Sequence, residues 1–263
     1  MGDVDVLISE STYGGRIHES GEGMIDRFLG VLKRTADRGG KVIIPAFSVG
    51  RTQDLVYHLF QLFDAGRLPS IPVYVDSPLA VNVTDVFRQH EECFDAETMA
   101  YLRQHEDPFG FGRLKYVRTL EESKALNEKK ESCVIISASG MCEGGRVLHH
   151  LANTIEDSRN TVLIAGFQAE YTLGRRFVEK TPEVKIFGDV YKLKAEVAVL
   201  NAFSAHAGQD ELLSYIGAMD AKRLRSVFLV HGEMTQAQQL QEKLRQSGIK
   251  NIAIPDRGEK ADY

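Results

Sequence analysis

The stretch SCVIISASGMCEGGRVLHHLANTI, residues 132–155, decides the fold class. It opens on a run of apolar, mostly β-branched residues, passes through a turn rich in serine and glycine, and ends in apolar residues at helical spacing. A short, nearly continuous apolar run is typical of a strand that is buried on both faces. A helix directly after such a strand predicts a crossover to a parallel neighbour, which is the βαβ unit of an α/β protein.

Similar apolar runs recur along the chain, at residues 4–9, 41–46, 71–76, 161–166 and 183–188. Segments with apolar residues at helical spacing lie between them, at 23–37, 52–62 and 146–155. This alternation predicts an α/β fold, a parallel sheet with helices on both faces. The charged stretch 118–132 is interpreted as a solvated helix and loop.

The pattern changes after Asp189. Residues 191–203 alternate lysines with apolar side chains, as a half-exposed strand does. Helices are then predicted at 209–219 and 236–246, and strands at 226–230 and 252–256. The block 15–190 and the tail 191–263 are therefore predicted to be different layers or domains.

Composition excludes several classes of protein. The chain has 263 residues, of which 43% are hydrophobic and 26% charged, and a net charge of −5, so nucleic-acid affinity would require a local basic face. None of the 3 cysteines forms a CxxC motif, which argues against a thiolate zinc site and favours reduced thiols, with Cys133 buried. Neither a membrane span nor a signal peptide is predicted, and we expect a cytoplasmic protein.

Three strands are followed by loops of small or hydroxylated residues that then open a helix: PAFSVGRTQDL (45–55), DSPLAVNVTDVF (76–87) and SASGMCEGGRVLHHL (137–151). Because ligands of open α/β sheets bind at the carboxyl ends of strands, these loops are predicted to share one edge. Each glycine alone is equally explained by a tight turn. The hydroxyl groups in these loops favour an anionic ligand.

Two histidines are candidates for chemistry. His206, in FSAHAGQDEL, has small neighbours that leave room for an imidazole to face a cleft as a general acid or base, although a histidine bonded to the backbone near a helix start explains the pattern as well. His231, in VFLVHGE, follows a buried strand, where it is either a metal ligand or structural. Neither HxHxDH nor HExxH occurs, and the adjacent His149 and His150 point too far apart to chelate one metal.

Glu10 ends the first predicted strand, in ISESTYGGR. A carboxylate at that place either orients a histidine or starts a turn.

Seven stretches occur in a fixed order: ESTYGGR, PAFSVGRTQDL, VDSPLA, SASGMCEGGRVLHHL, FQAEYTLGRR, NAFSAHAGQDEL and LVHGE. With this set the chain resembles the β-CASP branch of the metallo-β-lactamase superfamily, the RNA-processing nucleases that include the mRNA 3′-end cleavage endonuclease and bacterial RNase J. The resemblance extends over essentially the whole chain. It implies a metallo-β-lactamase αββα sandwich interrupted by a β-CASP domain. Residues 1–14 would lead in from the sandwich, 15–190 would form the β-CASP domain, and 191–263 would return to the sandwich.

The resemblance also implies roles for residues in the matching motifs. His206 would be the general acid that protonates the leaving oxygen, Glu10 would hold it, and His231 would be a zinc ligand. RNA phosphates would be contacted by the loop after the central strand and by nearby arginines: Ser137, Ser139, Gly140, Met141, Arg51, Arg146 and Arg175.

One part of the family pattern is missing from this sequence. The HxHxDH motif should precede ESTYG, and of the metal ligands implied by the resemblance only His231 is present. The resemblance implies that the complete protein binds two zinc ions. Because the ligands of the HxHxDH motif are missing, we expect this chain, without the N-terminal half of the metallo-β-lactamase domain, to be inactive alone. The tail is expected to expose apolar surface, which favours a homodimer.

The function implied by the resemblance is zinc-dependent hydrolysis of RNA phosphodiesters. The alternative is a non-catalytic RNA-binding or scaffold subunit of an RNA-processing complex. The presence of Glu10, His206 and His231 together favours the enzyme.

Overall fold

A computed structural model describes residues 4–17, 23–105, 107–220 and 223–260. The chain divides into two compact units, unit 1 with Met1–Ser20 and Ser204–Tyr263, and unit 2 with Gly21–Phe203. The boundary after Phe203 lies beyond the predicted one at residue 190. The assignment of a β-CASP and a metallo-β-lactamase part to these ranges stays a prediction.

The strands, in chain order, are β1 (Val6–Glu10), β2 (Val42–Pro45), β3 (Val73–Asp76), β4 (Leu114–Tyr116), β5 (Val134–Ser137), β6 (Thr161–Ile164), β7 (Glu183–Ile186), β8 (Asp189–Lys192), β9 (Glu196–Val199), β10 (Ser226–Val230) and β11 (Ile252–Ala253). The helices are α1 (Met24–Asp37), α2 (Arg51–Asp64), α3 (Pro78–Gln89), α4 (Ala96–Leu102), α5 (Leu120–Glu128), α6 (Val147–Thr154), α7 (Leu173–Val178), α8 (Gln209–Gly217) and α9 (Met234–Gln246). Short 3₁₀ turns lie at Glu91–Cys93 and Asn201–Phe203.

Unit 2 is built on a six-stranded parallel sheet in the order β4-β3-β5-β2-β6-β9. Every residue of β2, β3, β5 and β6 is buried. Successive side chains of a strand point to opposite faces, so Val42 and Ile44 belong to a core with α1 and α2, and Ile43 to a second core with α6 and α7. The predicted α/β fold with helices on both faces is confirmed.

The predicted strand at 183–188 is real, but its environment was predicted wrongly. β7 pairs antiparallel with β8 in a two-stranded hairpin outside the six-stranded sheet, and its residues alternate between exposed and buried. The two residues of the turn, Phe187 and Gly188, have φ of 54° and 93°. Positive φ at both central positions is the geometry that two-residue hairpins favour, so the FG dipeptide was the overlooked signal.

Unit 1 contains a three-stranded parallel sheet in the order β1-β10-β11. The buried face of β10, with Val227 and Leu229, packs against α8 and α9 through residues such as Leu212 and Leu240. The other face is more open, because Ile8 is 69% exposed and pairs with the half-buried Phe228.

The loops after β2, β3 and β5 lie at one edge of the parallel sheet, as predicted. Ala46 N–H donates to the Ser137 carbonyl oxygen at 3.0 Å, which joins the first loop to β5. The hydroxyl groups of Ser48 and Ser77 lie 3.0 Å apart and join the first loop to the start of α3.

All three cysteines are free thiols, and Cys133 is buried as predicted, with its pKa raised to about 11 by burial. Among the described residues, no helix combines the length and apolar character that crossing a membrane would require.

Candidate active site

Unit 1 brings Glu10, His206 and His231 together at the carboxyl ends of two neighbouring strands. Glu10 is the last residue of β1 and lies opposite Val230, the last residue of β10, so His231 follows directly after the end of β10. His206 precedes α8, and a bridge between Tyr13 and Gly208 holds this segment beside the exit of β1. Glu10 thus meets His206 and His231 at one sheet edge, although the two histidines lie 196 and 221 positions further along the chain.

Glu10 and His206 form a closely hydrogen-bonded pair. His206 Nδ1 lies 2.6 Å from Glu10 Oε2, and Ala207 N–H donates to Glu10 Oε1 at 3.2 Å. Because an ionised carboxylate only accepts hydrogen bonds, Nδ1 carries the proton of this contact. Nε2 is then the ring atom with which His206 exchanges a proton or binds a ligand.

Thr12 links the two histidines, a contact that the sequence did not predict. Its buried hydroxyl donates to the His231 carbonyl oxygen at 2.8 Å, so the hydroxyl oxygen is left to accept from His231 Nδ1–H. His231 Nδ1 lies 3.2 Å and His206 Nδ1 3.3 Å from that oxygen. His231 therefore carries its proton on Nδ1 and presents an Nε2 lone pair, the form in which a histidine binds a metal. The sequence could not predict the role of Thr12, because a hydroxyl residue two positions after a glutamate at a strand end is a common pattern.

Glu10 remains ionised in this environment. Partial burial raises its pKa, but the neighbouring Thr12 hydroxyl, the hydrogen bond from Ala207 N–H and the charge of His206 outweigh burial and bring the pKa below its usual value of 4.5.

The backbone around His231 is constrained by the strand beside it. His231 has φ of 50°, a conformation that residues other than glycine rarely adopt. At Gly232 an added methyl group would lie 2.4 Å from Ser11 Oγ, and that hydroxyl donates to the Val230 carbonyl oxygen at 2.9 Å. The HG dipeptide thus fits against the exit of β1, and its geometry aims the imidazole at the sheet edge.

Among the described residues, Glu10, His206 and His231 are the one group of three that brings candidate metal-binding atoms within 4.8 Å of one another. A hydrolytic zinc site has about three protein ligands and a water. Glu10 is already bonded to His206 Nδ1, so the cluster fits an acid–base pair beside one metal-ligating histidine better than a complete zinc site.

The predicted phosphate-binding loop lies in unit 2, after β5. The hydroxyl of Ser137 is buried and donates to the Asp76 carbonyl oxygen at 2.8 Å, and its own carbonyl oxygen accepts from Ala46 N–H, so both groups are used within the fold. The hydroxyl of Ser139 accepts from the N–H groups of Glu143 and Gly144 and closes the turn. Gly140 is buried and Met141 half-buried in the same turn.

The predicted arginines all have protein partners in unit 2. Arg51 pairs with Asp54 at 2.5 Å, and Arg175 with Glu179 at 2.8 Å. Arg146 pairs with Asp76 at 2.6 Å. Their contact with RNA stays a prediction, and for Arg146 the structure adds a role within the fold.

Asp76 is the centre of a buried network that the sequence did not predict. Its carboxylate is fully buried and contacts Arg146, Ser123 at 2.5 Å and His150 Nε2 at 2.7 Å. Burial raises the pKa of Asp76, but hydrogen bonds from His150, Ser123 and Arg146 outweigh it and lower the pKa. An aspartate at the end of a buried strand was the available signal; its partners lie 47 to 74 residues away.

Comparison with known families covers both units. Residues 52–177 match the Beta-Casp domain, and residues 190–255 match the Zn-dependent metallo-hydrolase RNA specificity domain. The chain belongs to the β-CASP family. The description of the second domain supports zinc as a cofactor of this family.

Relatives of the chain carry names of RNA-processing nucleases and related factors. A ribonuclease of Thermus thermophilus is 38% identical over 229 residues, which are 87% of this chain and 52% of the relative. An RNase J-like protein of Methanocaldococcus jannaschii is 31% identical over 241 residues, 89% of this chain and 53% of the relative. A transcription termination factor of Methanosarcina mazei is 32% identical over 238 residues, 88% of this chain and 37% of the relative. The chain spans about half the length of the first two relatives.

Proposed function

We propose that this chain supplies the acid–base pair and the RNA-binding surface of a zinc-dependent ribonuclease. The observation that carries the proposal is the contact of Glu10 with His206 Nδ1 at 2.6 Å beside His231, in a chain of the β-CASP family. Ribonucleases among the relatives support RNA as the substrate.

Glu10 and His206 act together in this proposal. Glu10 holds the proton of His206 on Nδ1 and stabilises the imidazolium, so that Nε2–H is the proton donor. When a phosphodiester is hydrolysed, the leaving oxygen develops negative charge and needs a proton. His206 provides that proton, with its tautomer fixed by Glu10, and Thr12 fixes the tautomer of the neighbouring His231.

His231 is the zinc ligand of the proposal, because its Nδ1 contact with Thr12 leaves Nε2 for a metal. Bound zinc supplies an activated water and stabilises the charge of the transition state, with two ions in the complete protein. The described residues supply fewer ligands than such a site needs. The 263-residue chain by itself is therefore proposed to lack stoichiometric zinc and to be inactive.

The experiment is cleavage of a labelled single-stranded RNA by the chain joined to the upstream half of a metallo-β-lactamase domain. His206→Ala is expected to lower kcat by about 10²- to 10⁴-fold, the usual contribution of a general acid. His90→Ala, which removes an exposed histidine of unit 2, is the matched control and is expected to keep full activity. Full activity of His206→Ala would refute the general-acid role, and a joined protein that binds RNA without cleaving it would support the scaffold alternative.

A further inference from the structure

Two exposed aromatic side chains, Phe47 and Tyr171, lie in the loops after β2 and β6, and both loops contact the glycine-containing loop 139–141 at the carboxyl edge of the unit 2 sheet. The ring of Phe47, in the loop after β2, lies against Gly140, where an added methyl group would be 2.8 Å from Phe47 Cδ2. Gln168, in the loop after β6, also contacts this glycine, since its Nε2 donates to the Gly140 carbonyl oxygen at 3.1 Å. The loops that carry Phe47 and Tyr171 are thus both anchored on the backbone of Gly140.

Both rings are turned to solvent in spite of these anchors. Phe47 is 50% exposed and Tyr171 is 93% exposed. A tyrosine with almost its entire surface in water contributes nothing to the core of unit 2. Exposed aromatic side chains are the groups on which the bases of single-stranded nucleic acids stack.

The backbone holds the Tyr171 ring in its exposed position. Tyr171 has φ of 67°, an unfavourable conformation for a residue with a large side chain. Thr172 fixes the next position, since its hydroxyl donates to the Ala169 carbonyl oxygen at 2.7 Å and accepts from Arg175 N–H at 3.2 Å. A strained residue that its neighbours hold in place is typical of functional sites.

We infer that Phe47 and Tyr171, in the two loops that contact Gly140, form a stacking platform for the bases of single-stranded RNA. The inference rests on the proposed function and adds the form of RNA that this surface selects. Aromatic faces beside cationic side chains are the usual means of holding single strands, and Arg175 and Arg176 lie in the helix that begins two residues after Tyr171. Base pairs inside a duplex are already stacked and present no free face to these rings.

The platform is tested by the affinity of the 263-residue chain for labelled oligomers, measured by fluorescence anisotropy. The probes are a single-stranded RNA, the same RNA as a duplex, and an abasic ribose-phosphate oligomer of equal length. The variants are Tyr171→Asn, which removes the ring and suits the left-handed backbone, and Phe47→Ala. Tyr215→Ala, at an exposed tyrosine of unit 1, is the matched control.

We expect the wild-type chain to prefer the single strand to the duplex and to the abasic oligomer. Tyr171→Asn should weaken binding of the single strand by roughly 5- to 150-fold, the effect of losing one stacked base, and leave the abasic oligomer unaffected. Tyr171→Trp should retain wild-type affinity, and Tyr215→Ala should match the wild type.

Equal affinity of the wild type, Tyr171→Asn and Phe47→Ala for the single strand would overturn the platform. A difference in sedimentation between the wild type and Tyr171→Asn, both measured without RNA, would also overturn the platform. It would show that the Tyr171 ring contacts a second copy of the chain. The proposed function fails separately: base-dependent binding together with full cleavage by His206→Ala would uphold the platform and refute the general acid.

Discussion

The two parallel sheets of this chain differ in how they are covered. In unit 2 the four central strands are buried along their whole length, with a hydrophobic core on each face. In unit 1 no residue of β1 is fully buried, and one face of the sheet exposes Ile8. The candidate acid–base pair and metal ligand nevertheless lie in unit 1. The difference teaches that stability and chemistry are placed in different parts of this chain. The sheet of unit 2 is covered by a hydrophobic core on both faces, whereas the candidate reactive groups lie on the sheet of unit 1, which has one more open face.

A large effect on stability is expected at Asp76, in the best-covered region. Asp76→Asn removes a fully buried charge from Arg146 and His150 and should cost about 3 kcal/mol of the free energy of unfolding, as the loss of one partner of a buried pair does. Urea denaturation measures it. Asp26→Asn, which removes an exposed partner of Arg67, is the control and should cost less than about 0.5 kcal/mol.

This prediction has a defined pH dependence. Because the pKa of Asp76 is lower in the folded chain than its usual 3.8, its stabilisation is fully present above that value and is lost as the pH falls through the folded pKa. The difference between the wild type and Asp76→Asn should be constant near neutral pH and shrink in acid. A difference that grew on acidification would contradict the role of the buried network.

A matched pair of isoleucines compares the two sheets directly. Ile136→Ala in β5 removes a fully buried side chain and should destabilise unit 2 by about 2–5 kcal/mol. Ile8→Ala in β1 removes a side chain that is 69% exposed and should change stability by about 0.5 kcal/mol or less. Urea denaturation of both variants checks the pair. Equal losses would show that the apolar face of unit 1 is covered in solution.

The architecture of unit 2 could be predicted from the sequence because its apolar runs leave few alternatives. A run such as VIIS suits only a buried segment, and the pattern at 147–155 suits only a helix on a core. The hairpin of β7 and β8 was missed, because its apolar run resembles those of the sheet. Its turn residues Phe187 and Gly188 decide the pairing instead.

The site could be predicted in part. The motifs indicated Glu10, His206 and His231, and the structure brings the three together. Local patterns could not predict Thr12 as their link or Asp76 as the partner of Arg146, since those contacts depend on segments that are distant along the chain. Tyr171 was also missed, because nothing in FQAEYTLGRR indicates an exposed ring or a left-handed backbone.

The central claim is that this chain supplies one zinc-ligating histidine and an acid–base pair, and so only part of a zinc site. The most direct test is the zinc content of the purified 263-residue chain, measured by mass spectrometry of the metal, alone and joined to the upstream half of a metallo-β-lactamase domain. We predict well below one zinc per chain alone and zinc binding in the joined protein, lowered by His231→Ala. Near-stoichiometric zinc in the chain alone, together with cleavage of RNA, would contradict the account.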